Sequence, residues 1–563
     1  MAFIGIDLGT TTSEAAVFKN GRAQLIRDRK GKEITLSVVG INPKTKELEI
    51  GDGPFNQLAQ YPDLTVEEIK RKMGKDIRVK LGDRELRPEE ISAILLRKIK
   101  EYAEAFLGEP VDRAVITVPA NFNDQQRGAT KVAGEMAGLK VERIVNEPTA
   151  AALAFGADTG EQGKILVYDL GGGTFDVTVL DQMSGVLDVK SSAGDNQLGG
   201  KDFDRELATW ASKQFLDQTG VDISDDASAM AKLKQACEVA KKELSFSDQA
   251  TISVPFIITR DGKPLSLEID APRDVFEDLI KPYLDRTKKA IGKALRDASL
   301  EIDDIDAVLL VGGSTRIPAV RSLVKDTIGK DPRTDIDPDR AVALGAAIQA
   351  SIIDGESDAI IMDICPLSLG TSVVTQMNGQ RVDGVYAEVL PANTPQLQAK
   401  TGTFNTVCDD QASVNVDIFQ KDSLSDSIWC RDHTLLHNQV IDGLTPMPAG
   451  QERIELTYTY NLDGMLDVLV KVKSTGKEEK FSVETNLRNE LSTEAIDDLW
   501  NKSDKASKVR ATILSAEKVL RKHGDHPELK AKIDRLKAAV VDGNDALIDK
   551  LDEEITDLVF DMS

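Results

Sequence analysis

The chain has 563 residues, too many for one hydrophobic core, so two to four domains are expected. Its 41% hydrophobic and 29% charged content is that of an ordinary water-soluble protein. A formal net charge of −24 argues against nucleic acid as the main ligand, and no apolar run approaches the roughly 18–20 residues of a membrane-spanning helix.

Met1 leads directly into the apolar strand pattern Ala2-Phe3-Ile4-Gly5-Ile6, with no basic stretch before an apolar core. Cys237, Cys365, Cys408 and Cys430 lie far apart with no paired spacing, as in a reducing compartment. A cytoplasmic location is expected.

Residues 4–18 (IGIDLGTTTSEAAVF) and 166–180 (LVYDLGGGTFDVTVL) echo each other. Aligned on their aspartates, they share Asp7 with Asp169, Leu8 with Leu170, Gly9 with Gly171, Thr12 with Thr174 and Val17 with Val179. Each reads as a strand, an acidic residue, a Gly/Thr-rich turn and a second strand, which is a β-hairpin. Two copies so far apart imply two similar halves facing each other.

Between and after these hairpins, strands alternate with helical patterns. Ala114–Val118 reads as a strand and Gln125–Ala137 as a helix. Ala307–Val311 reads as a buried strand ending in Gly312-Gly313-Ser314, with a helix opening near Pro318. This α/β organisation runs to Ile353. Asp354-Gly355-Glu356-Ser357-Asp358 is polar, but Ala359-Ile360-Ile361-Met362-Asp363 is apolar, so this linker (354–363) is expected to dock. Residues 364–486 carry short alternating segments (Ser413–Phe419, Arg453–Tyr460, Leu466–Val472) and turns such as Asp463-Gly464, the pattern of an antiparallel β domain. Residues 487–563 read as helices. The first is capped by Ser492, with a stripe through Ile496, Leu499, Ala506, Ile513 and Leu520. The second opens at Pro527, with Leu529, Ile533, Leu536 and Val540. The third follows Asp542-Gly543, capped by Asn544, with Leu547, Leu551, Ile555 and Leu558.

Gly/Thr turns expose backbone N–H groups, as a phosphate chain requires. Asp7 and Asp169 at their lips would repel phosphates unless a cation intervened, and Mg²⁺, held mainly through water, meets that need. Thr10, Thr11, Thr12 and Thr174 add hydroxyls. The G-x-x-x-x-G-K-[ST] loop is absent, so clamping between two halves is expected. The alternative is that both hairpins are only structural.

These segments resemble the seventy-kilodalton heat-shock (DnaK-type) chaperones. IDLGTTTS and DLGGGTFDVTV are similar to the family's two phosphate motifs, VNEPTAAALAFG to the segment joining the lobes, and VLLVGGSTRIPAVR to the adenosine motif. AGDNQLGGKDFD, ITVPANFNDQQR, ACEVAKKELS, IDPDRAVALGAAIQA and IIMDICPLSLG match in order and spacing. The resemblance implies a two-lobed, actin-like α/β ATPase domain (1–353), a β-sandwich peptide-binding domain and a short helical lid. The implied cofactors are ATP or ADP with Mg²⁺, and K⁺ as a further cation.

By the same resemblance, Lys70 places the attacking water, Glu147 senses nucleotide and metal, and Asp176 surrounds the metal waters with Asp7 and Asp169. Gly9, Gly171, Gly172 and Gly173 complete the phosphate turns. Glu238, Lys241, Lys242, Ser245, Gly312, Gly313, Ser314, Arg316 and Asp339 form the adenosine pocket. Pro119, Arg127 and Asp363 relay nucleotide state, and Val374, Phe404, Val407, Val414 and Val416 line a peptide groove. On residue pattern alone, Lys70, Lys241 and Arg316 also suit solvated surfaces, and the valines suit plain sheet core.

The implied partners are unfolded polypeptide segments, a J-domain co-chaperone and a nucleotide exchange factor, acting on a monomer. Asn121 stands where the family has an aromatic, Thr12 where bacterial members have Asn, and residues 390–399 and 421–444 depart further. Cys430, His433 and His437 have metal-compatible spacing but no evident fourth ligand, so they, like His523 and His526, read as exposed loop or turn residues. A metabolite kinase or an actin-like filament protein would leave residues 364–563 unexplained.

Overall fold

The computed structural model describes residues 2–483 apart from 184, 261, 334–336, 423–424 and 463, and then 493–494, 496–497, 499–500, 509, 512–513, 516, 519–520, 526–541 and 545–561. Asp463, Ser492, Ala506, His523, Asp542, Gly543, Asn544 and the 486/487 boundary lie outside the described residues. The chain divides into two compact units, residues 1–40 with 50–491 and residues 41–49 with 492–563.

The first unit is built on the two hairpins. Ala2–Leu8 pairs antiparallel with Thr12–Lys19, and Gly163–Leu170 with Phe175–Met183. The registers correspond residue for residue: Ile4 faces Val17 as Leu166 faces Val179, and Asp7 faces Glu14 as Asp169 faces Asp176. Each hairpin gains a parallel strand on its first arm. Val111–Val118 lies beside Ala2–Leu8, and Ala307–Val311 beside Gly163–Leu170.

The parallel neighbours are apolar through Ala114–Ile116 and Ala307–Val311, because helices must cover both faces of such a sheet. The helix Asp124–Met136 starts one residue before the expected Gln125, because the Asn123 side chain accepts from Gln126 N–H in a capping box. Glu147–Thr159 and Ala341–Ile353 are rich in alanine and pack closely against each other. A Cβ at Gly345 would fall 1.7 Å from the Ala150 carbonyl oxygen, so only glycine permits this contact. A second large core lies beyond the second hairpin, where Phe203, Phe215, Leu233, Ile252 and Phe276 are buried together.

Residues 364–483 supply two four-stranded antiparallel sheets. Ile418, Ile441, Leu456, Tyr458, Val468 and Val470 form their shared core. The apolar middle of the linker is a strand. Ile360–Met362 adds in parallel to Val186–Asp195 at the edge of the second hairpin's sheet, with Leu187 facing Ile361. Asp363 is buried, and Ile364 joins the core of the α/β half.

The β sheets also touch the α/β half directly. Asp124 N–H donates to Gln420 Oε1 (3.0 Å), and the Tyr460 hydroxyl lies 3.5 Å from Asp124 Oδ1. Asn393 accepts from Ser192 N–H (3.0 Å) and donates to Asp297 (3.2 Å). Cys430, His433 and His437 are not exposed loop residues. Cys430 is buried, His433 packs edge-on to Tyr386 at 4.9 Å, and His437 lies 5.0 Å from Phe481. Among the described residues, no group of three or more His, Cys, Asp or Glu is placed to hold a metal.

In the second unit, Pro527–Val541 and Asp545–Asp561 pack together through Leu529, Ile533, Leu536, Ile548, Leu551 and Ile555. Val509, Ala516 and Val519 join the same core. No helix among the described residues is long and apolar enough to cross a membrane.

The Gly345–Ala150 contact gives a direct test. Alanine at 345 gains about 1 kcal/mol of helix propensity, but overpacking costs about 1–3 kcal/mol. The clash here is with backbone, which cannot rotate aside, so the cost wins. Gly345→Ala should lower the midpoint of thermal unfolding, and an unchanged or raised midpoint contradicts the packing described.

Candidate functional site

The two Gly/Thr turns face each other across a cleft. A Cβ at Gly172 would lie 2.0 Å from Thr11 Oγ1, and one at Gly173 would lie 2.6 Å from the Thr10 methyl. Thr11 Oγ1 is buried, with no hydrogen-bond partner among the described residues. Each turn sits where its hairpin reverses, so Gly9, Thr10, Thr11 and Thr12 oppose Gly171, Gly172, Gly173 and Thr174. Gly171 N–H donates to the Thr174 carbonyl at 3.1 Å, which closes the second turn.

Carboxylates crowd this cleft. Burial, with Glu147 next, pushes Asp7 up to about 7, although Lys70 and the Thr117 hydroxyl (3.1 Å) pull it down. Burial likewise raises Asp169 well above the usual carboxylate range, helped by Glu147, Asp176 and Asp7. Asp176 is pushed by burial to about 6, while Asn121 and the Ala120 N–H stabilise its charged form. Asn121 donates to Asp176 from its side-chain amide at 2.6 Å and from its backbone at 3.2 Å. The departure at this position thus places an amide on a site carboxylate.

Lys70 is the cation amid this charge. It does not lie on a solvated helix face. It sits buried in the short 3₁₀ turn Ile69–Lys72, with Nζ 2.5 Å from Glu147 Oε1 and 5.8 Å from the Phe122 ring centroid. Glu147 opens its helix at the first position, where the backbone dipole favours a carboxylate. Arg71, next in the turn, reaches across the cleft to the Gly173 carbonyl (3.1 Å) and Asp202 (2.5 Å).

The buried acids outnumber the lysine, a donor set suited to a divalent cation. Among the described residues, no three carboxylates converge to hold a metal directly. A cation shared with phosphate oxygens and water therefore fits these residues better than an all-protein cage.

Of the residues expected around adenosine, Lys241 and Ser314 meet at the first turn of the helix Gly200–Thr219. A Cβ at Gly200 would lie 2.6 Å from Ser314 Oγ and 3.0 Å from Lys241 Nζ. Lys241 also pairs with Asp204 at 2.8 Å and is buried, not a surface cation. Lys242 pairs with Glu238 (2.7 Å) on the helix Ala227–Leu244, which Ser245 ends. Arg316 grips Asp339 and Asp337, each at 2.8 Å, and Gly313 lies beside Asp339. Gly312 has φ +81° and no room for a Cβ against the Leu170 carbonyl, so the chain turns there beside Asp169.

A hydrogen-bonded line leaves the cleft. The segment that donates to Asp176 returns its Ala120 and Phe122 carbonyls to Arg127, at 2.8 and 3.0 Å. Pro119 starts this segment, its carbonyl accepting from Phe122 N–H. Arg127 donates to Asn146 (2.6 Å), and Asn146 donates to both oxygens of Asp363 at 3.1 Å. Asn146, immediately before Glu147, contacts the expected site residues and was missed by sequence reasoning, as were Arg71 and Thr117. Adjacency to Glu147 and Lys70 was the signal available for the first two.

The five groove candidates divide. Phe404 and Val414 are half-buried against the sheet core, and Val416 is inside it. Val374 is half-buried beside a register shift in its strand, and Val407 is exposed.

The sequence matches the family model described as Hsp70 protein over residues 3–81 and 75–559. It is 41% identical over 557 residues to the chaperone protein DnaK of Thermotoga neapolitana, covering 95% of this chain and 91% of that protein. The chaperone proteins DnaK of Thermotoga petrophila and Thermotoga maritima are each 40% identical over 555 residues, covering 94% of this chain and 91% of theirs. With its matched hairpins and buried carboxylates, the chain belongs to the Hsp70 protein family.

Proposed function

We propose that the cleft between the two hairpins binds and hydrolyses ATP, and that this chemistry controls the grip of residues 364–486 on peptide. As an Hsp70 protein the chain is an ATP-dependent molecular chaperone with ATPase activity. The observation that carries the site assignment is the buried Lys70–Glu147 pair set among Asp7, Asp169 and Asp176 between turns that face each other.

Hydrolysis of this kind needs positioning and charge neutralisation more than a strong base. In our reading the turn amides and threonine hydroxyls hold the phosphates. Lys70, steered by Glu147, holds the attacking water. Bound Mg²⁺ would neutralise the triphosphate, with Asp7 and Asp169 holding its waters; K⁺ is a further candidate at the same acids. Glu238, Lys241, Lys242, Ser245, Gly312, Gly313, Ser314, Arg316 and Asp339 would enclose the adenosine. The domain scheme is an actin-like ATPase (1–353), linker (354–363), β-sandwich (364–486) and lid (487–563).

Phe404, Val407, Val414 and Val374 would receive an extended apolar segment of an unfolded protein, while Val416, buried in the sheet core, would back that surface without touching the segment. Coupling needs two states with different affinities. The linker strand paired with Val186–Asp195 supports a docked, fast-exchanging state favoured by ATP; release of that strand would give the slow-releasing state with ADP. Pro119, Arg127 and Asp363 carry the signal through Asn146. A J-domain protein, an exchange factor, a monomeric state and a cytoplasmic location complete the proposal.

ATPase assays with and without an unfolded peptide and a J-domain protein test the function; stimulation is expected, and phosphate transfer to a metabolite contradicts it. Lys70→Ala should keep ATP bound while slowing single-turnover hydrolysis by roughly 100- to 1000-fold. Loss of binding instead would remove Lys70 from its role.

Docking should also respond to pH. Burial, against the pull of Arg127, Gln420 and Tyr460, raises Asp124 to about 6. A carboxyl raised on docking favours the docked state below that pH and opposes it above. Interdomain energy transfer in ATP should therefore rise from pH 8 to pH 6. Asp124→Asn should flatten the profile at the docked level, and an unflattened profile contradicts this assignment.

A further inference from the structure

Lys201 is the second residue of the helix Gly200–Thr219. That helix begins on the second Gly/Thr turn, with Lys201 N–H donating to the Gly172 carbonyl at 2.8 Å. The Lys201 ammonium lies 3.0 Å from Glu238 and 3.4 Å from Glu67. These two carboxylates belong to opposite sides of the cleft. Glu238 is on the helix Ala227–Leu244, whose Leu233, Cys237 and Leu244 are packed into the second hairpin's core. Glu67 follows the strand Thr65–Val66, which pairs with Val39 and Gly40 downstream of the first hairpin, and it stands three residues before Lys70.

The bridge is sheltered. The Lys201 side chain is 12% exposed and Glu67 31%, so salt and water screen it less than an ordinary surface pair. Its two ends are unequal. Burial would raise Glu238, but Lys201 foremost, then Lys242, bring it down to about 2. Glu67 stays above the usual range because burial outweighs the pull of Lys201. Lys201 and Glu238 stand on two helices packed into one core and lie closer together than Lys201 and Glu67, so the lysine stays with Glu238 and the contact with Glu67 is the one that parts when the two sides separate.

We propose that Lys201 is a positioning residue that latches the Lys70-bearing segment to the adenosine-side helix, and that this latch sets how fast nucleotide leaves. The inference rests on the nucleotide reading above. Nucleotide enclosed between the two sides cannot leave until they separate, and separation breaks the Lys201–Glu67 contact. Arg71, bound to Asp202 and Gly173, fastens the same segment to the same turn and sets how far a single substitution loosens it.

The test is stopped-flow release of a fluorescent ADP analogue, chased with excess unlabelled nucleotide, on the full-length chain. Lys201→Ala and Glu67→Gln should each speed release, on the order of tenfold, the effect of losing one sheltered charge pair. Lys201→Arg should keep release slow. The double variant should be no faster than Lys201→Ala, because both changes remove one contact. Unchanged release in either single variant, fast release in Lys201→Arg, or fully additive effects would overturn the latch. Failure of the unmodified chain to take up the analogue would instead overturn the nucleotide reading itself.

Discussion

Buried negative charge is the constraint on which the molecule is organised. Asp7, Asp169, Asp176 and Glu147 are gathered in a cleft whose nearest compensating cation is Lys70. Burying charge without a partner is costly, so a protein tolerates such a set where a ligand completes it. The matched register of the hairpins explains how the set is built. A strand delivers an aspartate to the lip of a turn, and repeating the unit delivers a second one opposite the first.

That arrangement also explains the path out of the site. Asp176 is held by the Ala120–Asn121 amides, and the same segment holds Arg127 through its carbonyls. Arg127 fixes Asn146, whose neighbour Glu147 holds Lys70 and whose own amide holds Asp363. A chain of contacts transmits nothing unless some element on it has two arrangements. In the proposed scheme that element is Ile360–Met362, a three-residue edge strand held by pairing on one side, with Ile360 and Met362 well exposed. So short a strand can be released at modest cost, and in that scheme Asp363 at its end would read the state of the cleft.

Much of the frame was legible in the sequence because it follows from local rules. Gly/Thr turns between apolar runs mark hairpins; the buried strand Ala307–Val311 has the bounds of its apolar run, and Arg453–Tyr460 and Leu466–Val472 have the bounds their alternation gives. The hairpin Gln249–Arg260 with Lys263–Pro272 was not read, since alternating polar residues on an exposed face resemble loop. Lys70 was legible only by resemblance. Its basic neighbours suit a solvated face, and burial against Phe122 and Glu147 arises from segments far along the chain. Arg71, Asn146, Thr117 and Lys201 share that difficulty, because each acts through a partner distant in sequence. Val416 and Val414 show the same limit in the sheets. Two residues apart on one strand, they share a face, yet one is core and the other half-buried, set by how the sheets close and not by side-chain type.

The most direct test of coupling between the charged cleft and the β sheets is the dissociation rate of one labelled extended peptide, measured in Mg-ATP and again in Mg-ADP. The account predicts much faster release with ATP, and loss of that difference in Asn146→Ala, which cuts the line to Asp363. Equal rates in the two nucleotides, with both nucleotides demonstrably bound, would contradict it.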